Sequence, residues 1–156
     1  MGRVLPASEE PPPAQECEFD VDDLLQAARY GELEEVKLVA PLLPQNSHNE
    51  QGCTALHMAS ANGHLSIVKY LVERGENVNA CNAENNTPLH WAALNGQVQV
   101  VEELIASGAS ASALNRYDRT PVDEALSRGK QEVVNAIAIL TAAASLDDTS
   151  IQEEIN

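Results

Sequence analysis

Apolar residues in this chain fall in short paired bursts separated by glycine, not in long runs. Leu56 with Ala59, and Leu89 with Ala92, mark one face of a short helix. A second helix follows each, with Leu65, Val68 and Leu71 in one case and Val98, Val101 and Leu104 in the other. Gly63 and Gly96 divide the two members of each pair, and Gly75 and Gly108 close them. An earlier pair is legible in LLQAARYGELEEVKLV, where Leu24, Ala27, Ala28, Leu33 and Val36 flank Gly31. A later one places Val133 and Ile137 after Gly129. The pattern predicts an all-α protein built from small helix-turn-helix units.

The units repeat. Thr54-Ala55-Leu56-His57-Met58-Ala59 returns as Thr87-Pro88-Leu89-His90-Trp91-Ala92 and, altered, as Thr120-Pro121-Val122-Asp123-Glu124-Ala125. The threonines are 33 residues apart, as are Gly63, Gly96 and Gly129. Each threonine suits a helix N-cap, and Pro88 and Pro121 suit the first helical position, where the missing N–H is not needed. Gly52, Asn85 and Asp118, two residues before each threonine, are types that tolerate a positive φ in a tight turn. A 33-residue period carrying T-P-L-H-x-A resembles the ankyrin repeat. That resemblance implies a solenoid of about four repeats with β-turn fingers, in which each unit buries its apolar face only against its neighbours. The expected boundaries are an acidic, disordered arm over 1–20, then repeats over 21–48, 49–81, 82–114 and 115–146. A short helical stretch over 135–146 is expected to lead into an acidic tail over 147–156. The terminal units read as caps, with Asp22 at the threonine position of the first and Asp123 in place of histidine in the last. A monomer follows from that.

Charge narrows the partners. The 156-residue chain carries a net charge of −15, with 24 acidic and 9 basic side chains. Residues 1–23 hold seven acids and one arginine, and residues 147–156 hold four acids and no base. Two-thirds of the excess therefore sits at the ends, while residues 116–146 balance four bases against four acids. Such a chain repels phosphate backbones and anionic lipid, so a basic protein or basic peptide segment is the expected partner, with no direct nucleic acid and no membrane. Cys17, Cys53 and Cys81 are an odd set without metal-binding spacing, which fits a reducing compartment. The N-terminal region, broken by Pro11 to Pro13, shows no secretory pattern, and no apolar run reaches membrane length.

Candidate chemistry is sparse. His57 and His90 occupy one offset of the repeat, where an imidazole ties the cap threonine to neighbouring backbone; no nucleophile stands at a catalytic spacing from either. Cys53 and Cys81 sit among acids, which do not activate thiols. No phosphate-binding loop, nucleophile elbow, cofactor motif or metal set is present in the sequence, so the expectation is no enzyme, no cofactor and no metal. Asn79, on a connector, is open to two roles: a hydroxylation target or a partner for the turn backbone.

What remains is a binding surface. In the ankyrin architecture the finger tips and the ends of the first helices line the concave face. Counted from each threonine, these positions are Glu50, Gln51, Cys53, Ala61 and Asn62 in the second repeat, with Arg29 and Tyr30 the corresponding helix-end pair in the first. In the third they are Ala83, Glu84, Asn86, Leu94 and Asn95, and in the fourth Arg116, Tyr117, Arg119, Ser127 and Arg128. Met58 and Trp91 share one offset beside this surface and suit either an interface anchor or the core. Acids early on the face and arginines late on it predict a partner bound with defined polarity.

The runs TALHMASANGHLSIVKYLVE and NNTPLHWAALNGQVQVVEELI, with a degenerate first unit and an altered last one leading to acids, resemble the small acidic ankyrin-repeat chaperones of fungi. The resemblance covers about residues 23–140. It implies a dedicated chaperone that shields a newly made KH-domain ribosomal protein of the small subunit, in cytoplasm and nucleus. The alternative is an ankyrin adaptor in signalling, transcription or proteasome assembly.

Overall fold

The computed structural model describes the backbone of residues 19–155 and the side chains of residues 19–143. Eight helices follow in order among these residues: α1 Val21–Arg29, α2 Leu33–Val39, α3 Ala55–Ala61, α4 Leu65–Glu73, α5 Pro88–Leu94, α6 Val98–Ala106, α7 Pro121–Ser127 and α8 Gln131–Ile155. A single 3-10 turn over Ala40–Leu42 extends α2. The odd-numbered helices pack in sequence, α1 on α3, α3 on α5 and α5 on α7. The even-numbered helices form a second layer, each antiparallel to its odd partner across a glycine turn.

Local chemistry sets the helix starts. Thr54, Thr87 and Thr120 cap α3, α5 and α7, their hydroxyls accepting from the N–H groups of His57, His90 and Asp123 at 3.2–3.3 Å. Each of those three side chains returns a bond to the N–H of its own threonine, closing a reciprocal box. The helices stop at Asn62, Asn95 and Arg128, after which Gly63, Gly96 and Gly129 take φ of 68–75°. Gly63 and Gly96 have a second constraint. A Cβ would lie 2.4 Å from the Gln97 side chain at Gly63, and 3.0 Å from Lys130 at Gly96. Gly52, Asn85 and Asp118 all have positive φ, as their spacing predicted.

Packing is repetitive. Ala28, Ala59, Ala92 and Ala125 are fully buried where the odd helices approach each other, and their small size permits that approach. Leu56 and Leu89 fill the space beside them, while Val68, Leu71, Val101 and Leu104 supply the second layer. These residues belong to one continuous core running the length of the stack.

Two expectations about the ends need correction. The cap of the first helix is Asp20, not Asp22: Asp20 accepts from the Asp23 N–H at 3.0 Å, and Asp23 accepts from the Asp20 N–H at 2.8 Å. This acid pair starts the helix early, so α1 has 9 residues where α3, α5 and α7 have 7. Phe19, packed against the core, and Asp20 thus belong to the fold, and residues 1–18 of the expected arm lie outside the described residues. At the other end, the helix expected over 135–146 begins at Gln131 and continues to Ile155. Residues 131–155 contain neither glycine nor proline and are rich in alanine, the strongest helix former, so nothing in the chain breaks it.

Candidate protein-binding groove

Three asparagines build the fingers. Asn49, Asn82 and Asn115 are spaced by 33 residues, and the Oδ1 of each accepts two backbone N–H groups of its own turn. Asn82 holds Glu84 and Asn86 at 2.9 and 3.0 Å, and Asn115 holds Tyr117 and Arg119 at 2.9 and 3.1 Å. Asn49 does the same for Gln51 and Cys53, both at 3.0 Å. The fingers also join edge to edge, Ala83 N–H donating to the Gln51 carbonyl and Arg116 N–H to the Glu84 carbonyl, each at 2.8 Å. Backbone groups that would otherwise need water are therefore satisfied within the row of fingers. The 33-residue spacing of these asparagines, in step with the threonines, is the signal in the sequence that marks them.

Between the fingers and the odd-numbered helices lies a groove of about 500 Å³. Arg29 reaches it from the end of α1, Met58 from α3 and Trp91 from α5, while Cys53, Glu84 and Arg116 face it from the fingers. Met58 is only 7% exposed and belongs to the core; the Arg29 Nη2 lies 3.8 Å from its sulfur. Trp91 is half-buried, between the core and the groove. Its ring meets His57 edge-on, with centroids 5.3 Å apart and planes at 73°, while the residue also lines the groove. Glu84 accepts from the Tyr117 hydroxyl at 3.4 Å, and the Arg116 guanidinium stands 6.0 Å from the Tyr117 ring centre. Burial pushes the pKa of the Cys53 thiol up, outweighing the opposing effect of the Asn82 amide, which lies 3.7 Å from its sulfur, so the thiol is not activated.

Of the residues expected on the binding surface, Arg29, Gln51, Met58, Glu84, Trp91 and Arg116 meet at this groove. Glu50 lies just outside it, in a shallower recess with Asp22, His48, Asn49 and Gln51. Tyr30, Asn62, Asn95 and Arg128 cap the ends of the odd helices; the Asn62 and Asn95 amides donate to the Met58 and Trp91 carbonyls at 2.9 and 2.8 Å. Leu94 is half-buried in the last turn of α5. Arg119 pairs with Glu124 at 3.6 Å. Asn86 is a correction: it is 8% exposed, its carbonyl accepts from His57, and its Oδ1 accepts from Asn115. It joins repeats and offers no surface.

The residue after each helix-dividing glycine also joins repeats. His64 bonds the Arg29 carbonyl at 2.8 Å, Gln97 bonds the Ala61 carbonyl at 3.1 Å, and Lys130 lies against Gly96. Asn79 spans to the next unit with both ends of its amide, donating to the Gly108 carbonyl at 3.1 Å and accepting from the Ser110 N–H at 2.8 Å. Among the described residues no group of three or more His, Cys, Asp or Glu side chains could hold a metal ion, and no helix is long and apolar enough to cross a membrane.

A stack of paired helices, capped threonine boxes and hydrogen-bonded fingers defines a repeat protein that presents one continuous binding face. Two family models, both described as ankyrin repeats, match residues 16–82 and 63–105, and together they span more than half of the chain. The chain belongs to the ankyrin-repeat family. It is similar to the ankyrin repeat-containing protein YAR1 of Saccharomyces cerevisiae, 40% identical over 67 residues that make up 39% of this chain and 34% of that one. It is also similar to the ankyrin repeat-containing protein P16F5.05c of Schizosaccharomyces pombe, 39% identical over 56 residues, 35% of this chain and 38% of that one. The palmitoyltransferase akr1 of Schizosaccharomyces pombe shares 42% identity over 59 residues, 36% of this chain but 9% of the enzyme. The matched stretch spans little more than a third of the first two relatives and far less of the third.

Proposed function

We propose that this chain is a non-enzymatic chaperone that shields a newly made basic ribosomal protein of the small subunit, a KH-domain protein, until assembly. The observation that carries the proposal is the placement of charge: two-thirds of the net −15 lies at the two ends of a repeat stack with a binding groove along one face. A free ribosomal protein exposes lysine and arginine clusters meant for RNA. Acidic ends attract such clusters over distance and cover them, while the groove holds one segment in place. The resemblance of the repeat runs to the small acidic ankyrin-repeat chaperones of fungi supports the same partner class, and likeness to YAR1 over the repeats supports an ankyrin-repeat protein-interaction module. The likeness to akr1 lies within the repeats and carries no catalytic group into this chain. The protein acts as a monomer in cytoplasm and nucleus.

Affinity capture from a native lysate, washed at graded salt, tests the proposal. A KH-domain ribosomal protein should be recovered in near-equal amount and lost steeply as salt rises, because screening weakens attraction between exposed charges. Its absence, or a complex indifferent to ionic strength, overturns the chaperone role. A kinase, transcription factor or proteasome subunit in its place supports the adaptor reading. Reversing the charges of Arg116, Arg119 and Arg128 should weaken capture if the partner lies along the face with defined polarity.

A further inference from the structure

The groove differs in sign from the molecule around it. Its lining holds two guanidiniums, Arg29 and Arg116, against one carboxylate, Glu84. That carboxylate is engaged by the Tyr117 hydroxyl. Among the described residues the single ion pair is Arg119–Glu124, so neither groove arginine has a carboxylate within pairing distance. Both arginines are exposed, and they share the groove with the half-buried ring of Trp91 and the side chain of Met58. In a chain of net charge −15, cations with no ion-pair partner among the described residues, set around an apolar floor, are the unexpected feature.

We infer that this groove binds an acid-flanked apolar segment of a partner protein: a bulky apolar side chain seated on Trp91 and Met58, with a neighbouring aspartate or glutamate paired to Arg29 or Arg116. The inference rests on the reading of this face as a protein-binding surface, but not on the partner's being ribosomal. An apolar anchor supplies area where water is already partly excluded. The carboxylate pairs with one of the two guanidiniums, each of which presents a planar donor fork suited to it. Within a basic partner such a segment is uncommon. The groove then selects the site, while the acidic ends hold the basic body.

The full chain is panned against a phage-displayed library of random 12-residue peptides, and the selected sequences are remade as capped synthetic peptides. Trp91 is the only tryptophan in the chain, so its emission reports occupancy of the groove directly. Expected are sequences with a large apolar residue and a nearby acid that shift Trp91 emission, with Glu→Lys in the peptide weakening binding about tenfold. The double variant Arg29→Glu with Arg116→Glu should select basic flanks instead. The milder Arg29→Gln with Arg116→Gln should abolish the preference for acids, and it serves if the reversal fails to fold. Selection of basic or uncharged sequences by the natural chain, an unchanged preference in the variants, peptides that leave Trp91 emission unaltered, or no enrichment would each overturn the inference. No partner is used, so this result and the lysate capture can fail independently.

Discussion

His57 donates its Nε2–H to the Asn86 carbonyl at 2.8 Å, carrying a side chain of one repeat into the backbone of the next. Its Nδ1 faces the N–H and hydroxyl of Thr54 at 3.2 and 3.0 Å, which fixes the proton on Nε2. His90 repeats the arrangement with Thr87 and the Arg119 carbonyl at 2.9 Å. Asp123 keeps only the near half, capping with Thr120, because a carboxylate has no proton to donate onward. The histidines are therefore couplers between repeats, and the aspartate ends the series.

Replacing His57 by alanine should destabilise the fold by about 2–4 kcal/mol, through a cavity, a lost cap bond and an unpaired carbonyl. Asp123→Ala, at an exposed site, should lose about 1 kcal/mol or less. Urea denaturation of the two variants checks this. Equal losses would contradict the distinction.

Acid should weaken the fold through both histidines. Burial is the largest cause holding His57 and His90 below the ordinary 6.5, so the folded state favours the neutral rings. Their contribution is full above that value and declines as the pH falls below it toward their lowered folded pKa values. Glu76 acts in the opposite sense, since burial holds its carboxyl above the usual range. A urea midpoint measured from pH 7.5 to 5 in a Glu76→Gln background should fall steadily. A flat profile would count against buried neutral histidines.

Ser60 is fully buried, and its hydroxyl finds no partner among the described residues. One repeat later the same position is Ala93, also fully buried. Ser60→Ala should therefore leave stability unchanged or raise it by up to about 1 kcal/mol. A loss of similar size would show that the hydroxyl is bonded in solution.

Asn85 and Asp118 hold φ of 60° at finger turns without being glycine. Asn85→Gly should be neutral or slightly stabilising, whereas Asn85→Val should cost about 1–2 kcal/mol, because a β-branched residue resists that region. Asn82→Ala removes the acceptor of two backbone N–H groups, one buried and one half-buried, and should destabilise by about 2 kcal/mol. Thermal melts of the three variants should rank in that order. If Asn82→Ala were harmless, the finger scaffold would not depend on its asparagine.

The groove was partly legible in the sequence. Glu84, Trp91 and Arg116 stand at fixed offsets from the repeated threonine, and Arg29 at the corresponding helix end of the first unit, because a solenoid puts equal offsets on one face. Asn86 occupied such an offset too, yet its side chain turns inward to Asn115. Offset alone does not tell which way a finger residue points. The bridging roles of His64 and Gln97 were missed for a related reason: their partners lie 35 and 36 residues away, beyond any local pattern.

Position in the repeat is what the sequence determined: the 33-residue period, the threonine caps, the positive-φ turns and the paired helices all arise from local rules that act within a few residues. The tertiary structure decided what each equivalent position does. Ala93 and Leu126 share an offset, yet the first is fully buried and the second 54% exposed, because only the first has another repeat stacked upon it. Burial, and with it the neutral histidines, the half-covered Trp91 and the exposed arginines of the groove, depends on which neighbours the stack brings near.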